Sequence, residues 1–465
     1  MAQKRKSSVE KKIKRNAKKF VKKNSHKPAF IILAIIIIAL VLAGCYCIKS
    51  NPELISSLIS NSTSSVSDET TTVLNSDSVE GVVYDEFQIH FLELGNAYAG
   101  DSIYIKAGDK DILIDAGSRQ SSATVLETKI DEYVTDNKLE YVIATHGDQD
   151  HISGMIGTSS KGSYNGILYH YDVDNIIYNE RTSKTTNTYK NFITAADYVV
   201  AKGAARTYAH EFFESDGLTA SNNVIQLSDN VTMTILWNYY YFNDTSDEND
   251  YSVCTLFTYT SGSDVHNFLL TGDLEGIGEE YLAVHYNGGE YGSLPHCDLF
   301  KAGHHGSKTS STMTLLNAIT PDICCVCTCA GTNEYTTDYN NQFPTQQFIN
   351  RIAQFTDKVY ITSMWSDSLN SFTSMNGEIT ISCGLNENNE VVVGIAASNN
   401  LTKLKDTEWF NETIYVTNYK EASSTDLDNV NCCSHGQNSD KTGSNTFYTA
   451  DTSGVTAVPR RVWPE

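Results

Sequence analysis

The side chains best suited to chemistry stand close together in residues 145–151 (THGDQDH). This segment supplies two histidines and two aspartates, and it directly follows residues 139–144 (LEYVIA), an apolar run typical of a buried strand. Imidazoles and carboxylates at such close spacing on a rigid strand end suit divalent metal ions. The alternative interpretation of this segment alone is a polar turn in which an aspartate caps the next helix.

Two further apolar runs end in side chains of the same type. Residues 268–273 (FLLTGD) end in Asp273, and residues 299–305 (LFKAGHH) end in the paired His304 and His305. A single aspartate or histidine at a strand end is usually solvent-facing or structural. Three such ends in one chain favour a shared metal site instead.

The elements that must hold these side chains alternate between strands and helices. Strands are predicted at 87–94, 102–106, 111–114, 139–144, 231–237, 253–259, 267–271, 297–302 and 323–328. Helices are predicted at 123–137, 277–286, 312–319 and 345–355. Sheets interleaved with helices indicate a layered α/β architecture.

These segments together resemble the metallo-β-lactamase superfamily, and within it the extracellular hydrolase domain of bacterial competence DNA-uptake channel proteins. Those domains carry His-x-Asp-x-Asp-His where lactamases have His-x-His-x-Asp-His, and residues 146–151 match the former. The resemblance covers about residues 87–395. It also rests on residues 91–95 (FLELG), 100–102 (GDS), 112–117 (ILIDAG), 301–310 (KAGHHGSKTS), 331–335 (GTNEY) and 376–380 (NGEIT).

The resemblance implies a four-layer αββα sandwich that binds two divalent metal ions, zinc or manganese, on loops along one edge. One metal would be bound by His146 and Asp148. The other would be bound by Asp150, His151 and His305, with Asp273 bridging the two. The roles of His305 and its neighbour His304 remain interchangeable at this point.

Further roles follow from the same resemblance. Asp150, Asp273 and His304 would take part in catalysis, His304 as a proton donor or oxyanion contact. Asp115 would accept a hydrogen bond from a metal ligand. The substrate would be contacted by Ser307, Lys308 and Asn333, although Lys308 can equally be read as an exposed surface lysine.

The chain departs from the family pattern in three places. The middle histidine ligand of lactamases has no clear counterpart, since neither His170 nor His210 follows a convincing strand. The tight turn before Asp101 is lengthened to residues 96–100, and the usual His-Pro pair is replaced by residues 343–344 (FP).

Three histidines and three aspartates make a harder ligand set than that of a lactamase, which favours Mn²⁺ relative to Zn²⁺. A hydroxide shared by two metals suits attack on a phosphodiester, and the missing histidine leaves room for a phosphate. The predicted function is therefore a phosphodiesterase or nuclease. The alternatives are a hydrolase of carbonyl substrates, such as a β-lactamase or lactonase, and a catalytically inactive tethered binding module.

The N-terminal region predicts a membrane anchor. Residues 1–28 form a basic tail, and residues 29–48 form an uncharged, apolar run long enough to cross a bilayer as a helix. Lysines before this run place the tail in the cytoplasm and the remaining chain outside the cell. An alternative is a lipoprotein signal in which Cys45 is lipidated.

Beyond the anchor we expect a Ser/Thr-rich linker at 49–84, the hydrolase domain at 85–399 and a polar appendage at 400–465. The whole chain has a formal charge of −22, but residues 1–50 hold 13 of the 34 basic and one of the 56 acidic residues, so residues 51–465 carry −34. Such a body repels polyanions, which excludes nucleic-acid binding through a broadly basic surface. The expected substrate is a phosphodiester of the cell envelope or of a nucleic acid, and no obligate protein partner is expected.

The cysteines do not form a recognisable metal motif. Cys324, Cys325, Cys327 and Cys329 share one predicted strand, whose side chains alternate between its two faces, so they cannot surround one ion. They are interpreted as buried small apolar side chains. Residues 432–433 (CC) could pair with another cysteine outside the membrane.

Overall fold

A computed structural model describes residues 87–160, 163–336, 338–417, 420–422, 448–450 and 455–464. The predicted tail, transmembrane helix and linker lie outside these residues, as do Cys45 and residues 432–433. Among the helices of the described ranges, none combines the length and apolarity that a bilayer-spanning helix needs.

Two eight-stranded sheets form the centre of the domain. The first has the spatial order β20 (Val391–Ala397), β19 (Ile379–Leu385), β1 (Phe87–Phe91), β2 (Ile103–Ala107), β3 (Lys110–Ile114), β4 (Lys138–Ala144), β7 (Asp172–Tyr178) and β8 (Ala205–Tyr208). Strands β3, β4, β7 and β8 run parallel to one another, and the other neighbours are antiparallel.

The second sheet contains the middle part of the chain. Its spatial order is β18 (Ser371–Ser374), β17 (Val359–Ser366), β16 (Ile323–Ala330), β15 (Leu299–Lys301), β12 (Asp264–Leu270), β11 (Thr255–Ser261), β10 (Val231–Ile235) and β9 (Val224–Gln226). Strands β12, β15, β16 and β17 are parallel, and β9 to β12 form an antiparallel meander.

The described residues also contain four short strand pairs and eight α-helices. The pairs are β5 (Ser159–Ser160) with β6 (Ser163–Tyr164), β13 (Asn287–Gly289) with β14 (Gly292–Ser293), β21 (Thr413–Thr417) with β24 (Val455–Pro459), and β22 (Lys420–Ala422) with β23 (Tyr448–Ala450). The helices are α1 (Ser122–Ile130), α2 (Gln149–Ile156), α3 (Ile167–His170), α4 (Asn187–Lys202), α5 (Gly276–His285), α6 (Met313–Ile319), α7 (Gln346–Ile352) and α8 (Glu408–Asn411).

The alternation of side chains along each strand separates the core into three apolar layers. In β3, Ile112 and Ile114 belong to the layer between the two sheets, whereas Leu113 packs with α1 to α4 on the outer face of the first sheet. The outer face of the second sheet is covered by α5 to α8. The order of layers is therefore helix, sheet, sheet, helix, as predicted.

The cysteines of β16 follow the same alternation. Cys325 and Cys327 lie between the sheets, and Cys324 lies under the helices of the second sheet. All four cysteines of this strand are buried and free, which confirms their interpretation as core side chains.

Some elements differ from the prediction. The helix predicted at 123–137 ends at Ile130. The 16-residue helix α4 and its neighbour β7 were not predicted, although Thr186 caps α4 and a buried stripe including Phe192 and Val199 runs along it. Residues beyond 399 also join the outer layer of the second sheet, where Trp409 is buried.

Candidate metal centre

The predicted ligands follow strands at the edge where the two sheets meet. His146 follows β4, and Asp150 and His151 lie in the first turn of α2. Asp273 follows β12, and His305 follows β15 in a tight turn at 303–306. Because the strands β12 and β15 are parallel, their carboxyl ends present these side chains together.

Close backbone approach brings the two sheets into contact at this edge. Gly272 has a φ of +56°, and a Cβ there would lie 2.9 Å from Cβ of Thr145. The Val253 N–H donates to the Thr145 carbonyl over 2.8 Å. A residue without a side chain at position 272 therefore lets the ends of β4 and β12 meet.

Four of the predicted ligands form one compact group. Asp150, His151, Asp273 and His305 are buried, and one ligand atom from each lies within 4.8 Å of the other three. Asp273 Oδ2 lies 3.1 Å from His151 Nε2 and 3.2 Å from His305 Nε2. This geometry places one carboxylate oxygen between two imidazoles that are predicted to hold the same metal, and the bridging role of Asp273 stays a prediction.

His151 is oriented from behind by a buried carboxylate. Its Nδ1 lies 2.7 Å from Asp115 Oδ2, and Asp115 also accepts hydrogen bonds from the Thr145 N–H and hydroxyl. Asp115 itself has a left-handed backbone, with φ of 59°. With its Nδ1 proton held by Asp115, His151 presents Nε2 to the centre, an arrangement common for metal-binding histidines.

The structure separates the two adjacent histidines. His305 belongs to the cluster, with Nδ1 donating to the Cys327 carbonyl over 2.9 Å and Nε2 3.5 Å from Asp150 Oδ2. His304 turns away, and its Nδ1 lies 3.1 Å from Glu275 Oε1 and 3.0 Å from Thr309 Oγ1. Both histidines have left-handed φ angles, 46° and 55°. Such strain is typical of functional loops.

His146 and Asp148 stand next to this group as a separate pair. His146 Nε2 lies 3.7 Å from Asp148 Oδ2, and the His146 and His151 rings have centroids 4.1 Å apart. His146 Nε2 and His305 Nε2 are both buried without a hydrogen-bond partner among the described residues. Two buried, unsatisfied imidazole nitrogens aimed at carboxylates fit metal ions, because a lone pair there would otherwise be uncompensated.

Two charged residues that were not predicted as site residues lie behind the cluster. Lys301 is fully buried, and its Nζ contacts Asp101 Oδ2 at 2.5 Å, Asp273 Oδ1 at 3.2 Å and the Gly272 carbonyl at 2.9 Å. Asp101 Oδ1 in turn lies 3.2 Å from His305 Nδ1. Lys301 therefore fixes one oxygen of Asp273 and leaves the other directed at the histidines.

The cluster carries an excess of negative charge. Five carboxylates are predicted ligands or lie within 4 Å of one: Asp101, Asp115, Asp148, Asp150 and Asp273. Within the described residues, two ammonium groups, those of Lys184 and Lys301, lie equally close. With all the histidines neutral, as in a metal complex, three negative charges stay uncompensated, and these favour the binding of cations at this site.

The pKa values of the two neighbouring histidines shift in opposite directions. Burial alone would lower the pKa of His151, but Asp273 and Asp115 raise it well above its usual value. Burial and the charge of His151 lower the pKa of His146 well below its usual value. Burial alone would raise the pKa of Asp273, but His151, His305 and Lys301 lower it. Asp273 therefore stays ionised and His146 stays neutral, as ligation requires, whereas His151 must give up a proton to bind a metal.

The predicted substrate contacts line neighbouring loops. Ser307 is buried and lies 2.9 Å from Thr309 Oγ1, within its own loop. Lys308 Nζ donates to Asn341 Oδ1 over 3.2 Å, and Asn333 Oδ1 accepts from Gln342 over 2.8 Å. Their role in substrate binding stays a prediction.

Tyr335 is a further residue at the site that was not predicted. Its hydroxyl donates to Asp150 Oδ2 over 2.5 Å, although the residue is 52% exposed. The only signal for it in the sequence was its place in the 331–335 motif. His170 and His210, by contrast, contact Glu127 and Glu180 rather than any predicted ligand.

Parts of the chain are similar to known proteins. Residues 95–205 match the family model of the metallo-β-lactamase superfamily. Recombination protein 2 of Haemophilus influenzae is 27% identical over 239 residues, which cover 51% of this chain and 24% of that protein. Competence protein ComA of Neisseria gonorrhoeae is 33% identical over 96 residues, or 21% of this chain and 12% of that protein.

Among solved structures, the metallo-β-lactamase SMB-1 is similar over 40% of this chain and 64% of its own, with 11% identity and a TM-score of 0.25. The chain spans about a quarter and an eighth of the length of the two relatives named above. Parts of the chain are thus similar to the metallo-β-lactamase superfamily and to part of these competence and recombination proteins.

Proposed function

We propose that this metallo-β-lactamase superfamily domain is a metal-dependent phosphodiesterase, held at the outer face of a membrane by residues 29–48. The observation that carries the proposal is the buried group of Asp150, His151, Asp273 and His305. The five carboxylates in and around this group suit divalent cations, and one protein to which the chain is similar is named a recombination protein.

Two metal ions would be held by the predicted ligands. Asp150, His151 and His305 would hold one, His146 and Asp148 the other, and Asp273 would contact both. Bound there, divalent metals supply an acidified water and stabilise negative charge on the oxygens of a phosphodiester. Carboxylates form half of this ligand set, so Mn²⁺ is expected to support activity at least as well as Zn²⁺.

Other residues around the centre would orient the metal ligands or transfer a proton. Lys301 and Asp115 fix the orientations of Asp273 and His151 through the contacts described above. His304 stands next to the centre, with its ring centroid 5.9 Å from that of His305 and its side chain 15% exposed. It can pass a proton to a leaving group while Glu275 holds the imidazole at Nδ1.

The acidic body favours a phosphodiester of the cell envelope over a long nucleic acid. Residues 51–465 carry a formal charge of −34, so a polyanion gains little from long-range attraction. A small head group or a single glycerol-phosphate linkage needs only local contacts. A nuclease would require a basic path along the surface.

The test is a substrate panel with the full-length chain purified in detergent. Bis(4-nitrophenyl) phosphate, 4-nitrophenyl phosphate, single-stranded DNA and a glycerol-phosphate polymer would each be supplied with Mn²⁺, Zn²⁺ or Mg²⁺. We expect diester hydrolysis with Mn²⁺ and its loss in the Asp273→Asn variant. Activity with Zn²⁺ alone would contradict the metal preference, and hydrolysis of the monoester alone would contradict the substrate class.

A matched control is available at the surface. Asp322 belongs to an exposed group with His296 and Asp298 that also has three metal-ligand-type side chains. The Asp322→Asn variant should keep full activity, because Asp298 and Asp322 precede β15 and β16, whereas His305 follows the opposite end of β15. Equal metal content in wild type and Asp148→Ala, with no hydrolysis by either, would instead favour an inactive binding module. Turnover of a chromogenic cephalosporin but not of a phosphodiester would favour a lactamase.

A further inference from the structure

The basic side chains near the centre differ in whether they can contact an incoming ligand. Lys301 is completely buried, and its ammonium group is enclosed by Asp101, Asp273 and the Gly272 carbonyl. Arg119 pairs with Glu334 and stacks over the Tyr98 ring at 3.9 Å. These two side chains are committed to partners within the fold.

Lys184 combines contact with a predicted ligand and access to solvent. Its Nζ lies 2.5 Å from Asp148 Oδ1, and 28% of its side chain is exposed. An ammonium group has three N–H donors, and Asp148 Oδ1 needs only one of them. Lys184 can therefore contact Asp148 and an incoming anion at the same time.

The loop that carries Lys184 is fastened to the metal-binding loop. The carboxylate of Glu248 accepts hydrogen bonds from the Thr182 hydroxyl, the Ser183 N–H and hydroxyl, and the Gly147 N–H. Glu248 is buried, so these bonds are shielded from water. They hold the loop between β7 and α4 directly over residues 146–148.

This loop stands on the side of the centre that has fewer ligands. His146 and Asp148 form a pair, whereas the opposite side has the four-residue group. The side chains of Lys184 and Asp148 are both partly exposed there, so an anion can reach this side. A fixed lysine at the same place supplies the charge that an anion with several oxygens needs.

We propose that Lys184 is a substrate-binding residue that contacts a non-bridging oxygen of an anionic phosphoryl group at the His146 and Asp148 side of the centre. The inference deepens the proposed function and rests on it for the substrate class. It assigns to the β7–α4 loop the selection of anionic over neutral substrates.

The test compares Lys184→Met, Lys184→Arg and Lys202→Met in the full-length chain loaded with Mn²⁺. Lys202 is a suitable control because it is an exposed lysine at the far end of α4, paired only at the surface with Asp172. Inorganic phosphate is the probe, its Kd is measured by calorimetry, and bound manganese is counted by mass spectrometry.

We expect Lys184→Met to weaken phosphate binding by about 10-fold to 100-fold, the usual effect of losing one hydrogen bond to a charged group. Lys184→Arg should recover most of the affinity, and Lys202→Met should match wild type, with manganese content unchanged in all three. The kcat/KM for bis(4-nitrophenyl) phosphate should fall by a similar factor in Lys184→Met.

The phosphate measurement separates this inference from the proposed function. If the wild type binds phosphate through Lys184 but hydrolyses no diester, the inference stands and the proposed function falls. Phosphate affinity within about 2-fold of wild type in Lys184→Met would overturn the inference even if diesters are hydrolysed. It would also be overturned by loss of manganese in Lys184→Met, by an equal effect of Lys202→Met, or by a wild type that does not bind phosphate.

Discussion

Gly147 offers a way to disturb one side of the metal centre and leave the other intact. A Cβ at this position would lie 2.4 Å from Glu248 Oε1 and 2.7 Å from Tyr189 Cδ2. Ordinary carbon–oxygen contacts are about 3.4 Å or more, so the Gly147→Ala variant has an overlap of about 1 Å. Glu248 cannot easily yield, because four hydrogen bonds hold its carboxylate.

The overlap should therefore move residues 146–148 by several tenths of an ångström or more. Metal-ligand distances tolerate only about 0.2 Å. We expect Gly147→Ala to lose the metal bound by His146 and Asp148 and to keep the one bound by the four-residue group. A 1 Å displacement of a catalytic group typically costs about 100-fold in rate, which sets the expected loss in kcat/KM.

The assay counts bound manganese per chain after dialysis and measures diester hydrolysis in the same samples. Gly289→Ala is the control, because Gly289 is exposed in β13 and a Cβ there would approach nothing closer than 3.2 Å. Two metals per chain in Gly147→Ala, with activity within about 3-fold of wild type, would refute the reasoning. In that case residues 146–148 would not hold a metal in the way we infer.

Two further predictions concern the support of the site and of the fold. Asp115→Asn should weaken Mn²⁺ binding by about 10-fold to 100-fold, because Asp115 orients His151, and a metal-competition titration with wild-type affinity would contradict this. Burial by itself would raise the pKa of Glu378, but hydrogen bonds from His90 and Tyr133 outweigh it and lower the pKa from 4.5 to about 2. Glu378 therefore contributes about 3 kcal/mol of stability above pH 5 that is lost as the pH falls to about 2. Urea unfolding of Glu378→Gln should accordingly show a smaller decline in stability across this window than wild type.

The predicted ligands could be found from the sequence because each follows an apolar run along the chain. The run at 139–144 locates His146 at the end of β4, and the FLLTGD run places Asp273 after β12. Strand ends are local features, so composition and spacing reveal them without knowledge of the fold. Only the structure shows that Asp273 Oδ2 lies within 3.2 Å of His305 Nε2.

The residues that support the ligands could not be found in this way, because their contacts cross the sequence. Lys301 is the last residue of β15 in the second sheet. Its partner Asp101 precedes β2 of the first sheet and lies 200 positions earlier in the chain. Its position within an apolar run predicts only that Lys301 is buried. A buried lysine needs an oppositely charged partner, and the sequence does not show which residue that is. Lys184 was missed because β7 and α4, which present it, were not predicted.

The positions of Lys301 and Lys184 make the two sides of the centre different in their access to an incoming anion. Lys301 lies behind Asp273 and has no access to solvent, so it can only balance charge and fix a carboxylate. Lys184 lies in front of Asp148 and is partly exposed. With two divalent ions bound, the three uncompensated negative charges would be exceeded by one positive charge, which a hydroxide or a substrate oxygen can neutralise. An anion that approaches such a centre meets a favourable local field at the Lys184 side in spite of the acidic surface around it. Short-range attraction of this kind suits one phosphodiester group better than a long polyanion, which is the selectivity that a small envelope substrate requires.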